Sequence, residues 1–285
     1  MTLPPFELHR PSSVAEASEL LERFGDEAVV YCGGTELLLV AKLGFTDFKA
    51  LVDVKGIPEL SGVNANGELL VGGAVTHREL ERSELVLSHW PALAAMERHV
   101  GNLRVRNTGT IGGNLCFADP HSDPATFLLA VGGEVTLQRG DGPGRRLPID
   151  EFVRGPYLTA LEPGELLVSV HVPRLADGVR VAHRKVSFRE RPAITVAVRL
   201  DVREGVVEDA RVAVGSVNVR PVVALSAEEI LRGFDVGSLD VAAVGEAVAT
   251  EVEPVEDLNG SVEYKRQLVR VVTARTLAAA VSQAP

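Results

Sequence analysis

Asn107-Thr108-Gly109-Thr110-Ile111-Gly112-Gly113-Asn114-Leu115 is the stretch on which the reading of this chain turns. Thr108 to Asn114 packs three glycines, two hydroxyls and an amide into seven residues. Glycine lets a backbone approach a ligand with no Cβ in the way. The hydroxyls and the amide add hydrogen-bonding groups between the glycines. Ile111 and Leu115 are placed to anchor a loop in a core. No Lys or Arg occurs from Asn107 to Gln138. A pyrophosphate bound here would therefore rest on backbone amides and hydroxyls, in the manner of an anion nest. A glycine-rich β-corner would explain the glycines, but not the polar groups between them.

About eighty residues upstream lies a second glycine stretch, Val30-Tyr31-Cys32-Gly33-Gly34-Thr35-Glu36. Ala28 to Tyr31 reads as a short buried strand. Thr35 is a candidate cap for a helix over Glu36 to Leu43, with Gly44 as its stop. Free N–H groups of Thr35, Glu36 and Leu37 at a helix start favour an anion. Taken alone, this stretch is as well explained by a tight turn. Neither stretch is a Walker loop, which needs a Lys after its last glycine, and neither matches G-x-G-x-x-G. Together they point to a long, doubly phosphorylated ligand.

The chain has 285 residues, a length suited to two domains. With 46% hydrophobic and 24% charged residues it can bury an ordinary core. Its net charge of −10 argues against nucleic acid and against an anionic membrane surface. The N-terminal residues lack the basic and apolar regions of a signal peptide, and no apolar run reaches the ~20 residues of a membrane span. The cytoplasm is the expected compartment. Two cysteines, Cys32 and Cys116, exclude a disulfide framework and a four-cysteine iron–sulfur cluster held by this chain alone. Both read as small residues filling tight space.

Outward from the glycine stretches, Ser13-Val14-Ala15-Glu16 reads as a capping box that starts a helix ending at Gly25. Ala50 to Val54 reads as a strand, which completes a strand–loop–helix–strand unit with a parallel pair. Leu69 to Val75 suggests a strand, Thr76 the start of a helix, and Trp90 to Val100 a further helix. Asp123-Pro124 opens a helix with Asp123 as its cap. Val135 to Gln138 and Leu166 to Val172 read as antiparallel strands separated by turn-rich Arg139 to Pro148. After a linker at Pro173 to Gly178 come three alternating stretches, Val181 to Phe188, Ala193 to Val202 and Ala210 to Val217. A long helical pattern, Tyr264 to Val281, closes the chain. The fold class is α+β, with a βαβ start, an antiparallel middle and a strand-and-helix end.

The seven residues Ala118-Asp119-Pro120-His121-Ser122-Asp123-Pro124 follow the second glycine stretch directly. Asp119 is suited to accept hydrogen bonds from a flavin ring or a sugar hydroxyl. His121 reads as a surface histidine and not as an acid–base catalyst. No catalytic residue and no metal ligand set stands out.

G-G-T-E, then T-G-T-I-G-G-N-L-C with A-D-P-x-S-D-P, resembles the FAD-binding medium subunit of the molybdenum hydroxylases, the family of the carbon monoxide dehydrogenase flavoprotein and the xanthine dehydrogenase FAD domain. The resemblance extends to Phe6 to Pro11, Leu51 to Val54, Ile57 to Leu60, His183 to Arg189 and Tyr264 to Arg266, and so to nearly the whole chain. It implies the FAD-binding fold shared with vanillyl-alcohol oxidase. It implies an FAD-binding domain over residues 1–175, with subdomains of about 1–55 and 56–175, and a flavoprotein C-terminal domain over 176–285. Cys32, Gly33, Gly34, Thr35, Glu36 and Leu37, with Gly109, Thr110, Gly113 and Asn114, would wrap the FAD pyrophosphate. Asp119, Ser122 and Asp123 would touch the cofactor. Leu167 would pack near the isoalloxazine, and Lys185 would bring a cation toward it. Some members carry His where this chain has Thr35, so the resemblance implies dissociable, non-covalent FAD here.

The function implied is electron relay. A molybdenum large subunit oxidises the substrate, two [2Fe–2S] clusters on a small subunit carry the electrons, and FAD on this chain passes them to NAD, a quinone or O₂. The molybdenum cofactor and clusters would sit on partners only, in a dimer of heterotrimers. One alternative is a self-contained flavin reductase of the same fold acting on a UDP sugar, for which no proton donor or basic patch is evident. A non-enzymatic scaffold would leave both glycine stretches as coincidence.

Overall fold

The computed structural model describes residues 3, 5–188 and 191–283. Glu7–His9, Ala50–Asp53 and Ala28–Tyr31 form a parallel sheet with Ala50–Asp53 in the middle. Parallel strands need a crossover connection, and the helix Leu37–Lys42 supplies it between the second and third strands in sequence. Ala50, Leu51 and Val52 are buried, as a central parallel strand requires. In the helix Val14–Phe24, Ser13 accepts from Glu16 N, but Glu16 reaches one residue further back than the expected capping box. Its carboxylate takes both the N–H and the hydroxyl of Ser12. A complete box occurs instead at Thr76 and Glu79, opening the helix His77–Arg82.

Five antiparallel strands make the middle sheet, in the order Val63–Asn66, Glu68–Gly72, Leu166–Pro173, Glu134–Gln138 and Arg145–Pro148. The last of these lies in the segment expected to be turn. Arg145 holds it there with two bonds to Glu165, at 2.7 and 2.8 Å. The expected helix at Trp90 to Val100 is shorter, Pro91–Glu97, and the helices Glu84–His89 and Leu103–Thr108 flank it unanticipated. Every residue of the helix Asp123–Val131 is buried, because it packs against the C-terminal sheet on one side and shares the core of the middle region on the other.

That C-terminal sheet is antiparallel: Val179–Ser187, Pro192–Arg203, Val206–Gly215 and Val222–Val223. Its other face is covered by Val262–Val281 and Leu225–Leu231, with Val241–Glu251 packed on those two helices, over a separate core rich in valine and alanine. The α+β class and its three-part texture are as expected. Arg189, one of the residues carrying the resemblance, lies outside the described residues.

Candidate cofactor site

The two glycine stretches meet. A Cβ on Gly33 would overlap Thr108 O and sit 2.7 Å from Gly109 Cα. Gly33 therefore lets one backbone lie directly on the other. A Cβ on Gly109 would come within 3.4 Å of Thr35 Oγ1, so the contact continues along the loop. Gly34 has φ of +68°, a left-handed turn that glycine adopts without penalty. After it the backbone enters the helix Leu37–Lys42 with Glu36, not Thr35, at the cap position and no side-chain cap bond. Thr35 is displaced from capping because its hydroxyl faces the second stretch.

The second stretch is not the loop expected from its glycines. Leu103–Thr108 and Ile111–Phe117 are helices, and only Gly109 and Thr110 link them. Thr110 caps the second of these, its hydroxyl accepting from Gly113 N at 3.1 Å. Gly112 donates to Gly73 O at 3.0 Å, and a Cβ there would lie 2.5 Å from that oxygen. Gly73 in turn lies against Leu167, so Leu167 supports the stretch from beneath. Ile111 and Leu115 are buried anchors, as their spacing suggested. Gly113 differs: it is exposed, and a Cβ on it would meet only Thr110 Oγ1.

The following tail is a compact knot of bonds. Ser122, not Asp123, caps the helix Asp123–Val131, accepting from Ala125 N at 3.1 Å. Its hydroxyl also donates to Asn114 Oδ1 at 2.5 Å, which ties the two expected site residues together. Asp123 sits one position later with its carboxylate buried, bonded through Oδ2 to Lys185 Nζ at 2.7 Å. Its Oδ1 is buried with no hydrogen-bond partner. His183 Nε2 lies 3.8 Å from that oxygen and 2.7 Å from Thr195 Oγ1. Burial drives the His183 imidazole down to about 4, against the pull of Asp123, so it is neutral at neutral pH.

His121 is not a solvated surface residue. Its Nδ1 is 2.9 Å from Asp119 Oδ1 and its Nε2 is 3.0 Å from Asp257 Oδ2. Asp257 also pairs with the buried Lys265, at 2.8 Å. Burial pushes the Asp119 carboxyl up, but the hydrogen bonds from His121 and the charge of Arg191 outweigh it and hold it low. Arg191 reaches both Asp119 and Glu36, each at 3.1 Å. The stretch without Lys or Arg thus receives its cations from elsewhere, Arg191 at Asp119 and Lys185 at Asp123, while Lys55 donates to the carbonyl of Cys32 in the first stretch at 3.3 Å. Cys32 and Cys116 are free thiols, both pushed up by burial, Cys116 to about 12.

The sequence reading missed Arg191, His183 in its paired role, and the buried pair His77–Glu97, whose Nδ1 and Oε2 are 2.7 Å apart. Glu97 was legible in principle, because it shares a helical face with Leu93 and Val100. Arg191 carried no spacing signal.

The described residues fit a dinucleotide such as FAD. The two backbones meet where a Cβ would not fit, an exposed glycine stands at a capped helix start, and an orphaned carboxylate oxygen on Asp123 lacks a donor. Residues 4–175 match the family described as the FAD binding domain in molybdopterin dehydrogenase, and residues 180–280 match the CO dehydrogenase flavoprotein C-terminal domain. The chain is 34% identical to the carbon monoxide dehydrogenase medium chain of Hydrogenophaga pseudoflava, covering 98% of both chains. It is 30% identical to the nicotine 6-hydroxylase medium subunit of Paenarthrobacter nicotinovorans, covering 97% of this chain and 98% of the other. The solved structure of the Hydrogenophaga pseudoflava carbon monoxide dehydrogenase superposes with a TM-score of 0.94 at 33% identity, covering 98% of both chains.

Proposed function

This chain belongs to the FAD-binding medium subunits of the molybdenum hydroxylases, and from that premise we propose that it is the flavin station of a cytoplasmic, multi-subunit dehydrogenase. The observation that carries this reading is coextension: the chain matches a medium chain over 98% of both lengths, while its two cysteines cannot hold a four-cysteine cluster. The clusters and the molybdenum cofactor then belong to a small and a large partner subunit, assembled as a dimer of heterotrimers. FAD, when bound, takes electrons from an iron–sulfur centre and releases them to an external acceptor, NAD, a quinone or O₂.

The chain's own residues bind and orient. Cys32 to Leu37 and Gly109, Thr110, Gly113 and Asn114 hold the pyrophosphate. Gly33 brings the two backbones together, and Thr110 fixes the orientation of the Gly113 amide. Asp119, Ser122, Asp123, Leu167 and Lys185 serve the flavin end. Asp123 steadies Lys185 and leaves one carboxylate oxygen for a cofactor donor. Because that pair is internally neutralised, Lys185 tunes the flavin through a dipole and not as a lone cation. The domain division falls between residues 175 and 176, inside the linker Pro173 to Gly178.

The test is reduction of the purified, FAD-reconstituted chain by a reduced [2Fe–2S] partner subunit, followed as bleaching in the visible and recovery on adding acceptor. No FAD binding after reconstitution, or rapid turnover of an enolpyruvyl-UDP sugar by the isolated chain, defeats the reading.

A further inference from the structure

The strand Val179–Ser187 ends its sheet, with Pro192–Arg203 on one side and no strand of the described residues on the other. Its open side lies in a groove of about 550 Å³. One wall is the helix Pro91–Glu97 with His99; the other is the helix Val262–Val281. Small side chains, Ala92, Ala95 and Ala279, line both walls and leave the space between them unfilled.

Gln283 shows what this edge binds. Its side-chain amide accepts from Val181 N at 3.2 Å and donates to Val181 O at 2.7 Å. That is the paired bonding a neighbouring peptide unit would make. It also identifies which residues face outward. In an antiparallel strand the N–H and C=O of one residue point the same way, and alternate residues share that direction. The register with Pro192–Arg203 is unbroken from Val179 to Val186. The N–H and C=O groups of His183 and Lys185 therefore point into the groove beside Val181.

The groove is also cationic in a chain of net charge −10. Its lining includes His99, Arg184, Lys185 and Arg275 and no Asp or Glu. Asp123 balances Lys185. His99, Arg184 and Arg275 are exposed, and none forms an ion pair with a described residue among those of the structure. Charges on a strand edge commonly ward off another sheet. Here the flanking helices already recess the edge, so the cations select what enters and need not exclude a sheet.

We infer that this groove docks an extended acidic segment of a partner subunit, which adds a strand beside His183 and Lys185 and sets its carboxylates against Arg184 and Arg275.

A fluorescein-labelled peptide of alternating glutamate and valine serves as probe, titrated onto the FAD-loaded full chain by fluorescence anisotropy. It should bind, whereas the lysine–valine counterpart should not. Binding should slow hydrogen exchange at the amides of His183 and Lys185. Combined Arg184→Glu and Arg275→Glu should weaken it by about tenfold or more while leaving the flavin spectrum unchanged. Equal binding of both peptides, no protection at those two amides, or an affinity indifferent to charge reversal would each overturn the assignment.

Discussion

The two glycine stretches look alike in sequence and work differently in space. Cys32 to Leu37 is half-buried throughout and is shaped by contact: Gly33 is a glycine because Thr108 and Gly109 lie on it. In the second stretch Gly109 and Gly112 are buried packing positions, and of its three glycines Gly113 alone is exposed. Glycine richness therefore mixes two roles, bringing backbone segments together and leaving backbone open to a ligand. On the proposed reading, the first builds the site and the second contacts the ligand.

Substitutions separate the two. Gly33→Val should have the largest effect. Its side chain has backbone on all sides of the contact, which cannot yield cheaply, so a loss of about 2–4 kcal/mol and complete loss of FAD on desalting are expected. Thermal unfolding and the flavin-to-protein absorbance ratio measure both. Acidification should come next, and it probes neither glycine stretch but the C-terminal sheet beside them. His183 is neutral in the fold down to about 4, whereas the unfolded chain takes up its proton near 6.5. Between those values the unfolded state binds more protons, so stability falls as pH falls through that window, by roughly 3 kcal/mol. Urea midpoints measured across pH should show this slope, and His183→Gln should flatten it.

Gly112→Ala should cost about 1–3 kcal/mol, because its methyl meets the carbonyl of Gly73, and flavin loss should follow from the weakened scaffold. Thr110→Ala removes a helix cap worth about 1 kcal/mol and frees the Gly113 amide. Gly113→Val is the opposite case. Its Cβ would crowd only the Thr110 hydroxyl, 2.9 Å away, and no backbone, so it should cost about 1 kcal/mol, the worth of that cap, yet abolish FAD binding if the proposed phosphate contact holds. Full FAD occupancy in that variant would remove Gly113 from the site. The smallest effect is chemical: acid precipitation should release all flavin into the supernatant, because Thr35 offers no histidine for covalent attachment.

Much of the fold was legible because its signals are local. Alternation marked the three long C-terminal strands, and helical spacing marked Val262–Val281. Gly25 and Gly44 stopped helices where expected, both with positive φ. The misreadings share a cause. Asp123 and Thr35 have good capping chemistry but lost the cap position by one residue, to Ser122 and Glu36: Asp123 is bonded to the distant Lys185, and the Thr35 hydroxyl lies against Gly109. Ile111–Phe117 is helical despite two glycines, since Thr110 caps it and Gly73 accepts from Gly112. His121 resembled a surface histidine because Asp257, which holds its second nitrogen, is 136 residues away.

The sequence by itself determined the α+β class and most of the long elements, and it excluded a four-cysteine cluster held by this chain alone, because propensity, periodicity and cysteine count are properties of neighbours and composition. Only the tertiary structure decided that the two glycine stretches touch, that Arg191 and Lys185 supply positive charge to a stretch with no Lys or Arg, and that a cationic strand edge lies open between two helices. Those depend on which distant residues are brought within a few ångströms, and hydrogen bonds, ion pairs and van der Waals overlap act only at that range.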